Sequence, residues 1–124
     1  MLAEIVGHAQ SANDFAYLST TPASAAKKAL AKAGIDVADV DLWEINEAFA
    51  SVTLNSIQLL GIDPDKVNVN GGAIALGHPV GASGARILGS LALELRRRGG
   101  GLGVAAICSG GGQGDAVILR VPPQ

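Results

Sequence analysis

The stretch LGVAAICSGGGQGDAVILRV, residues 102–121, contains two apolar segments separated by a run of small and polar residues. The first segment ends in Cys108 and the second begins at Ala116, and both have the length and composition of buried strands. The segment between them contains more glycines than a minimal hairpin turn requires. These residues predict strands at 102–108 and 116–121, joined by backbone that can closely approach a ligand.

The residues before this stretch alternate between strand and helix patterns. Helical spacing of apolar residues predicts helices that begin with Thr21 and Pro22, just after Asn46, and at Ser83, and that end near Ala33, Leu60 and Arg98. Alternating apolar residues predict further strands at 4–12, 40–45 and 67–70, with a loop at 13–20. The resulting order, βαβαβαββ, predicts an α/β fold in which helices cover a mixed β-sheet. The first helix is expected at the surface and the third deeply buried.

Composition limits the class of protein. The chain has 124 residues, 48% of them hydrophobic, so residues 1–124 are expected to form one domain. Its net charge is −2, and its one dense basic run, residues 96–98, falls at a predicted helix end, which argues against nucleic-acid binding. No apolar run is long enough to cross a bilayer and no leader is evident, so a cytoplasmic protein is expected. A single cysteine excludes an intrachain disulfide and a multi-cysteine metal site.

His78 lies between Gly77 and Pro79 in a second glycine-rich stretch, GGAIALGHPVGASGAR, residues 71–86. The predicted helix that follows places the positive end of its dipole near this loop, which disfavours the imidazolium. A neutral imidazole there is suited to act as a base or as an oxyanion donor. The alternative is a loop histidine held by a backbone carbonyl.

Cys108 ends an apolar strand and precedes backbone whose N–H groups could hold an oxyanion. The residue-level evidence leaves open whether this thiol is reactive or simply buried, since free cysteine is among the most buried residue types. The glycine pattern does not fit a phosphate-binding loop, because no Lys-Ser or Lys-Thr follows it. Dinucleotide binding is therefore only weakly supported.

A third candidate block is NEAFA, residues 46–50, at a predicted strand-to-helix corner. Asn46 could orient a water molecule, although capping of the following helix is favoured. Glu47 is either a charged partner in the site or an acidic residue of the first helical turn. Phe49 is expected to pack in the core, and His8 is assigned no role.

Together, NEAFA at 46–50, GGAIALGHPVGASGAR at 71–86 and CSGGGQGDA at 108–116 resemble the three motif blocks of the thiolase C-terminal domain, in the same order and at similar spacing. The resemblance covers nearly the whole chain. It implies a thiolase-like C-terminal half and acyl transfer between acyl-CoA or acetyl-CoA and 3-oxoacyl-CoA. Coenzyme A and its thioesters would be substrates, with no permanently bound cofactor and no metal.

The resemblance also implies individual roles. His78 would activate a nucleophilic cysteine and stabilise the substrate thioester oxygen, while Asn46 holds a water in the same oxyanion hole. Cys108 would be the acid/base thiol, and Gly110 would contribute its N–H to the other oxyanion hole. Ala48 and Phe49 would line the substrate tunnel.

In thiolases a homologous N-terminal domain supplies the nucleophilic cysteine, and nothing in this sequence corresponds to that domain. One thiol cannot carry the acyl group and shuttle a proton at the same time. The favoured hypothesis is therefore a split thiolase, a hetero-oligomer in which a partner chain contributes the N-terminal domain. The alternatives are an inactive isolated fragment and a non-enzymatic acyl-CoA-binding module.

Overall fold

The computed structural model describes residues 1–14 and 17–123. The strands are β1 Glu4–Ala12, β2 Leu42–Ile45, β3 Gly101–Ser109 and β4 Gln113–Val121; the helices are α1 Thr21–Ala33, α2 Ala50–Leu60, α3 Ala73–Leu76 and α4 Ser83–Arg97. Short 3-10 turns occupy Leu18–Thr20, Val37–Asp39 and Pro64–Lys66. The four strands form one mixed sheet in the order β1-β4-β3-β2. The predicted α/β class is confirmed.

The central strand β3 pairs in parallel with β2 and antiparallel with β4, which in turn pairs antiparallel with β1. Gly110, Gly111 and Gly112 alone connect β3 to β4, and Gly111 and Gly112 have positive φ angles of 80° and 74°. β4 begins at Gln113, three residues earlier than predicted. The glycine-rich segment is thus mostly strand, with a three-residue turn.

Helices cover both faces of the sheet. Alternate residues of β3 explain this arrangement: Val104, Ala106 and Cys108 belong to the core shared with α1, whereas Ala105 belongs to the core shared with α4. As predicted, α1 is a surface helix with one buried face: seven of its thirteen residues are buried, including Ala26 and Leu30, whereas Lys27, Lys28 and Lys32 are exposed. The small alanine side chains let this helix approach the sheet closely. The third predicted helix, α4, is less buried than predicted, because one of its faces is exposed.

The strand predicted at 67–70 is absent, and the physical reason lies in Asn68. This residue has a positive φ of 48°, a conformation that asparagine tolerates and that ends an extended segment. Only Val67 forms a β-bridge, to Trp43 of β2. The Asn68 side chain continues the pairing instead: its Oδ1 accepts from the Ile45 N–H and its Nδ2 donates to the Ile45 carbonyl, both at 2.8 Å. A side-chain amide therefore completes the edge of the sheet.

Glu47 joins the same edge to α3. Its carboxylate accepts from Asn68 Nδ2 at 3.0 Å and from the Ile74 backbone N–H at 2.9 Å. A Cβ built on Gly72 would lie 2.4 Å from the Glu47 carboxyl carbon. Glycine at position 72 therefore leaves room for the Glu47 carboxylate, whose hydrogen bonds attach the beginning of α3 to the residues at the end of β2.

The loop at 13–20 was predicted without regular structure; Phe15 and Ala16 lie outside the described residues, and Leu18–Thr20 form a turn. Thr21 does not cap α1: it is the first helical residue, and its hydroxyl donates to the Leu18 carbonyl at 2.9 Å. α1 and α2 end at Ala33 and Leu60, as predicted, and the residues that follow them, Gly34 and Gly61, adopt the left-handed conformation. No helix within residues 1–14 and 17–123 combines the length and hydropathy that crossing a bilayer requires.

Substitution Gly72→Ala is expected to destabilise the domain by about 1–3 kcal/mol, because the new methyl group displaces the Glu47 carboxylate. Denaturant unfolding measures the change. Gly84→Ala is the matched control: it places a methyl group where no atom lies within 4 Å, inside α4, and should be neutral or slightly stabilising. The double variant Glu47→Ala/Gly72→Ala should lose less stability than the sum of the single changes. Strict additivity would show that Glu47 is not the obstacle.

Glu44 of β2 makes the stability of the folded domain depend on pH. Its side chain is 6% exposed, and burial raises its pKa from 4.5 to about 7, with Arg86 opposing and Glu47 adding to the shift. Because the folded pKa exceeds the unfolded one, stability falls as pH rises from about 4.5 to 7, by roughly 3 kcal/mol in total. Glu44→Gln should therefore gain stability relative to the native chain across that interval and level off above it.

Guanidinium unfolding at a series of pH values measures this difference. Glu4→Gln, which changes an exposed carboxylate of β1, is the matched control and should alter stability little. A Glu44→Gln difference that is constant between pH 4 and 8 would rule out a buried, ionising carboxyl.

Candidate active site

The parallel pairing of β2 and β3 brings two candidate residues to one edge of the sheet. Ile45 is paired with Ala106, and the Asn46 N–H donates to the Ala106 carbonyl at 2.9 Å. Cys108 lies two residues beyond Ala106 on β3. The carboxyl ends of parallel strands are a common location for ligand sites in α/β proteins.

His78 reaches this edge from the loop between α3 and α4. Gly77, immediately before it, has a positive φ of 90°. The His78 Nδ1 lies 2.6 Å from Ser83 Oγ, at the beginning of α4, and 3.4 Å from Asn46 Nδ2. The imidazole is therefore oriented through Nδ1 by two residues that are distant from each other in sequence.

Arg86 of α4 connects the same segments from behind. Its guanidinium donates to the Gly77 carbonyl at 2.9 Å and to Asn46 Oδ1 at 3.2 Å. Asn46 itself is buried, with 1% of its surface exposed. The amide of Asn46 thus makes contacts at both ends and is held in place.

The loop before His78 is also tied to α4. Asn70 donates to Glu94 at 3.1 Å, and Arg97 and Arg98 donate to the same carboxylate at 2.6–2.8 Å. These hydrogen bonds hold the pKa of Glu94 well below its usual range. Glu94 stays ionised, which keeps the loop attached at neutral pH.

A cavity of about 380 Å³ contains both His78 and Cys108 in its wall. The turn between β3 and β4, the NEAFA segment and the first 3-10 turn complete it, through Leu18, Ala48, Phe49, Val80, Ile107, Ser109 and Gly110. Phe49 and Val80 are 63% and 83% exposed. The cavity therefore brings a buried thiol and an exposed imidazole together beside apolar, solvent-exposed side chains.

Cys108 is buried, with 8% of its surface exposed. Burial raises the pKa of its thiol above the ordinary value, while a backbone hydrogen bond partly opposes the shift. At neutral pH the group is a protonated thiol, which suits proton donation better than nucleophilic attack.

The structure brings together all six residues predicted for the site, five of them in the cavity wall. His78, Cys108, Gly110, Ala48 and Phe49 all line the cavity, and Asn46 lies behind His78 in contact with its ring. A larger cavity of about 450 Å³, next to Trp43 and Leu60, contains none of them. The residue types of the smaller cavity therefore identify it as the candidate site.

Three interpretations of the NEAFA segment are wrong. Asn46 does not cap α2, which begins four residues later at Ala50 and has Phe49 at its N-cap. Glu47 is not in the first turn of α2; its carboxylate bonds Asn68 and Ile74 instead. Phe49 is exposed at the cavity rim and does not pack in the core. The extended backbone of residues 46–49 leaves these side chains free for other segments.

Two site residues were missed from the sequence, Ser83 and Arg86. Both lie at the end of the stretch 71–86, beyond the glycine-rich loop that contains His78. A helix that begins at Ser83 places Arg86 three residues later, on the same side of the helix. This spacing could have indicated that Ser83 and Arg86 act on the same site. No group of three or more His, Cys, Asp or Glu side chains within the described ranges, 1–14 and 17–123, could hold a metal ion.

Comparison with known proteins agrees with this geometry. Residues 1–121 match the family described as thiolase, C-terminal domain. A probable acetyl-CoA acetyltransferase of Mycolicibacterium smegmatis is 59% identical over 119 residues, which cover 96% of this chain and 31% of that protein. The cytosolic acetyl-CoA acetyltransferase of Mus musculus is 52% identical over 119 residues, 96% of this chain and 30% of that protein.

Solved structures give the same result. The crystal structure of human mitochondrial 3-ketoacyl-CoA thiolase superposes with a TM-score of 0.93 at 52% identity, over 97% of this chain and 30% of that chain. The same human protein in complex with CoA matches equally well, with a TM-score of 0.93. This chain spans about 30% of the length of the relatives it matches. By its sequence, its fold and its three motif blocks, the chain belongs to the thiolase C-terminal domain family.

Proposed function

We propose that this domain forms one half of a thiolase acyl-transfer site and that a partner chain with a thiolase N-terminal domain forms the other half. The observation that carries the proposal is the single cavity that contains His78, from the α3–α4 loop, and Cys108, from the end of β3. The matching human thiolase structure in complex with CoA supports coenzyme A thioesters as the substrate class.

Cys108 is the acid/base of the proposed reaction. The partner's thiolate attacks C3 of a 3-oxoacyl-CoA, the C2–C3 bond breaks, and the acyl group becomes a thioester of the partner's cysteine. The electron pair of the broken bond remains on the acetyl-CoA enolate, whose carbon takes the proton of the Cys108 thiol. Coenzyme A then attacks the acyl thioester and returns a proton to Cys108. The raised pKa of the buried thiol keeps this proton available.

His78 and Asn46 stabilise negative charge in this scheme. The ring nitrogen of His78 that does not contact Ser83, Nε2, would donate to the thioester oxygen as it gains charge. Asn46 would hold a water near the same oxygen, and the Gly110 N–H would face the oxygen of the acyl-enzyme. Activation of the partner's cysteine by His78 also stays a prediction, as does a cytoplasmic location.

The exposed rim supports a partner that completes the cavity. Phe49 and Val80 expose apolar surface beside polar reactive groups, and a docked domain would remove that surface from water. Ala48 and Phe49 would then line the channel for the acyl and pantetheine groups. The sequence contains one cysteine, so the nucleophilic thiol of the two-thiol mechanism has to come from another domain.

An affinity-tagged copy of the chain, purified from the cells that make it, tests this proposal. It is expected to bring down a chain with a thiolase N-terminal domain, and the pair should thiolyse acetoacetyl-CoA. Cys108→Ala should lower condensation and solvent exchange of the acetyl-CoA methyl protons by about 100- to 10,000-fold, while radiolabelled acetyl-CoA still acylates the partner's cysteine. Loss of that acylation as well would contradict the separate roles of the two thiols.

The two alternatives give different outcomes in the same preparation. An isolated fragment would associate with itself through its exposed apolar rim, which light scattering detects, and would show no thiolysis. An acyl-CoA-binding module would bind coenzyme A tightly with no partner chain present, which calorimetry on the purified chain detects. Either pattern, without an active pair, would contradict the proposed function.

His78→Ala should slow acylation of the partner's cysteine by about 100- to 1000-fold, because an oxyanion donor is lost. Rapid-quench measurement of acyl-enzyme formation gives this rate directly. His8→Ala is the matched control, since the only other histidine lies on the exposed side of β1, outside the cavity. Equal rates for native and His78→Ala proteins would remove His78 from the oxyanion hole.

A further inference from the structure

Arg86 contacts two segments of the site with the two arms of one guanidinium. One arm donates to the Gly77 carbonyl at 2.9 Å and the other to Asn46 Oδ1 at 3.2 Å. Arginine has five N–H donors and no acceptor, so only an oxygen can face it. The contact therefore determines which end of the Asn46 amide points toward Arg86.

The opposite end of that amide faces His78. With Oδ1 turned to Arg86, the NH₂ group of Asn46 lies 3.4 Å from His78 Nδ1, and it can only donate. The Ser83 hydroxyl lies 2.6 Å from the same nitrogen and can donate as well. The Ser83 hydroxyl has one proton and also lies 3.2 Å from the Pro79 carbonyl, so it does not decide the role of Nδ1. The Asn46 NH₂ does decide it: Nδ1 has to accept from that group, so the proton of the neutral ring belongs on Nε2.

A second arrangement is available when the amide is free to turn. If Asn46 presented its oxygen to His78, Nδ1 could carry the proton and donate to it. Ser83 would then accept from Nδ1 and donate to the Pro79 carbonyl, which lies 3.2 Å from its hydroxyl. Ser83 is compatible with both arrangements, whereas Arg86 is compatible with only one.

We propose that Arg86 is a positioning residue that fixes the Asn46 amide and thereby keeps the neutral imidazole of His78 in the Nε2–H tautomer. The tautomer depends only on residues of this chain. Its role in catalysis rests on the proposed function, in which Nε2–H is the donor to the thioester oxygen. Arg86 touches no reacting atom and acts only through Asn46 and the Gly77 carbonyl.

Nitrogen NMR of the purified chain, labelled at the histidine ring nitrogens and recorded at a pH where the rings are neutral, tests the inference. The sequence has two histidines, so His8 serves as an internal reference. The native chain should show His78 almost entirely as Nε2–H. Arg86→Gln can donate or accept at its amide, and should shift the ratio of the two tautomers toward Nδ1–H by roughly fivefold, the effect of one net hydrogen bond. Arg96→Gln, an exposed change on the same helix, should leave it unchanged.

Asn46→Asp gives the converse result with nearly the same shape. A carboxylate cannot donate to Nδ1, so His78 should move to the Nδ1–H tautomer, and this variant tests the inference even if Arg86→Gln does not fold. Nδ1–H in the native chain, a tautomer ratio unchanged in folded Arg86→Gln, or Nε2–H retained in Asn46→Asp would overturn the inference. The thiolysis assay of the active pair decides the proposed function separately, since the tautomers are measured without a partner or substrate.

Discussion

The parallel register between β2 and β3 is the constraint on which the candidate site depends. Ile45 opposite Ala106 places the end of β2 beside the end of β3, so Asn46 and Cys108 come to the same edge. A shift of one residue would turn Cys108 to the α4 face of the sheet, because side chains alternate along a strand. The small residues Gly103, Ala105 and Ala106 of β3 give α1 and α4 close access to both faces and so help to hold that register.

His78 cannot be positioned by the sheet, because it lies in a loop, and the structure fixes that loop with polar contacts. Asn68 and Glu47 attach the segment before α3 and the start of α3 to the end of β2. Glu94 attaches Asn70 of that segment to α4, and Arg86 joins the Gly77 carbonyl, next to His78, to Asn46. Several of these groups are charged or buried, and each is satisfied by a partner on another segment. The loop is therefore held by hydrogen bonds at defined distances, which a flexible glycine-rich segment could not provide by packing alone.

The sequence was most informative where one local pattern decides the structure. A continuous apolar segment predicted β3, helical spacing of apolar residues predicted α1 and the end of α2, and the motif blocks singled out His78 and Cys108. The sequence did not predict the contacts in which a side chain takes the place of a neighbouring strand or binds a residue that is distant in sequence. Asn68 takes the place of a strand neighbour, and Arg86 contacts a residue 40 positions away. Neither interaction produces a periodic pattern of apolar residues in the sequence. Residue spacing alone therefore predicted a strand at 67–70 and a helix cap at Asn46, and both predictions are wrong.

The environment of Cys108 determines which protonation state of its thiol is favoured. A nucleophile at neutral pH needs a lowered thiol pKa, whereas a proton donor needs a thiol that keeps its proton, and one environment cannot favour both states. At Cys108 burial favours the protonated thiol, and within residues 1–14 and 17–123 no lysine or arginine lines its cavity to reverse that preference. In the proposed function, this preference suits Cys108 to be the acid of a two-thiol reaction. Nucleophilic attack would then fall to a thiol in a different environment, one that lowers its pKa.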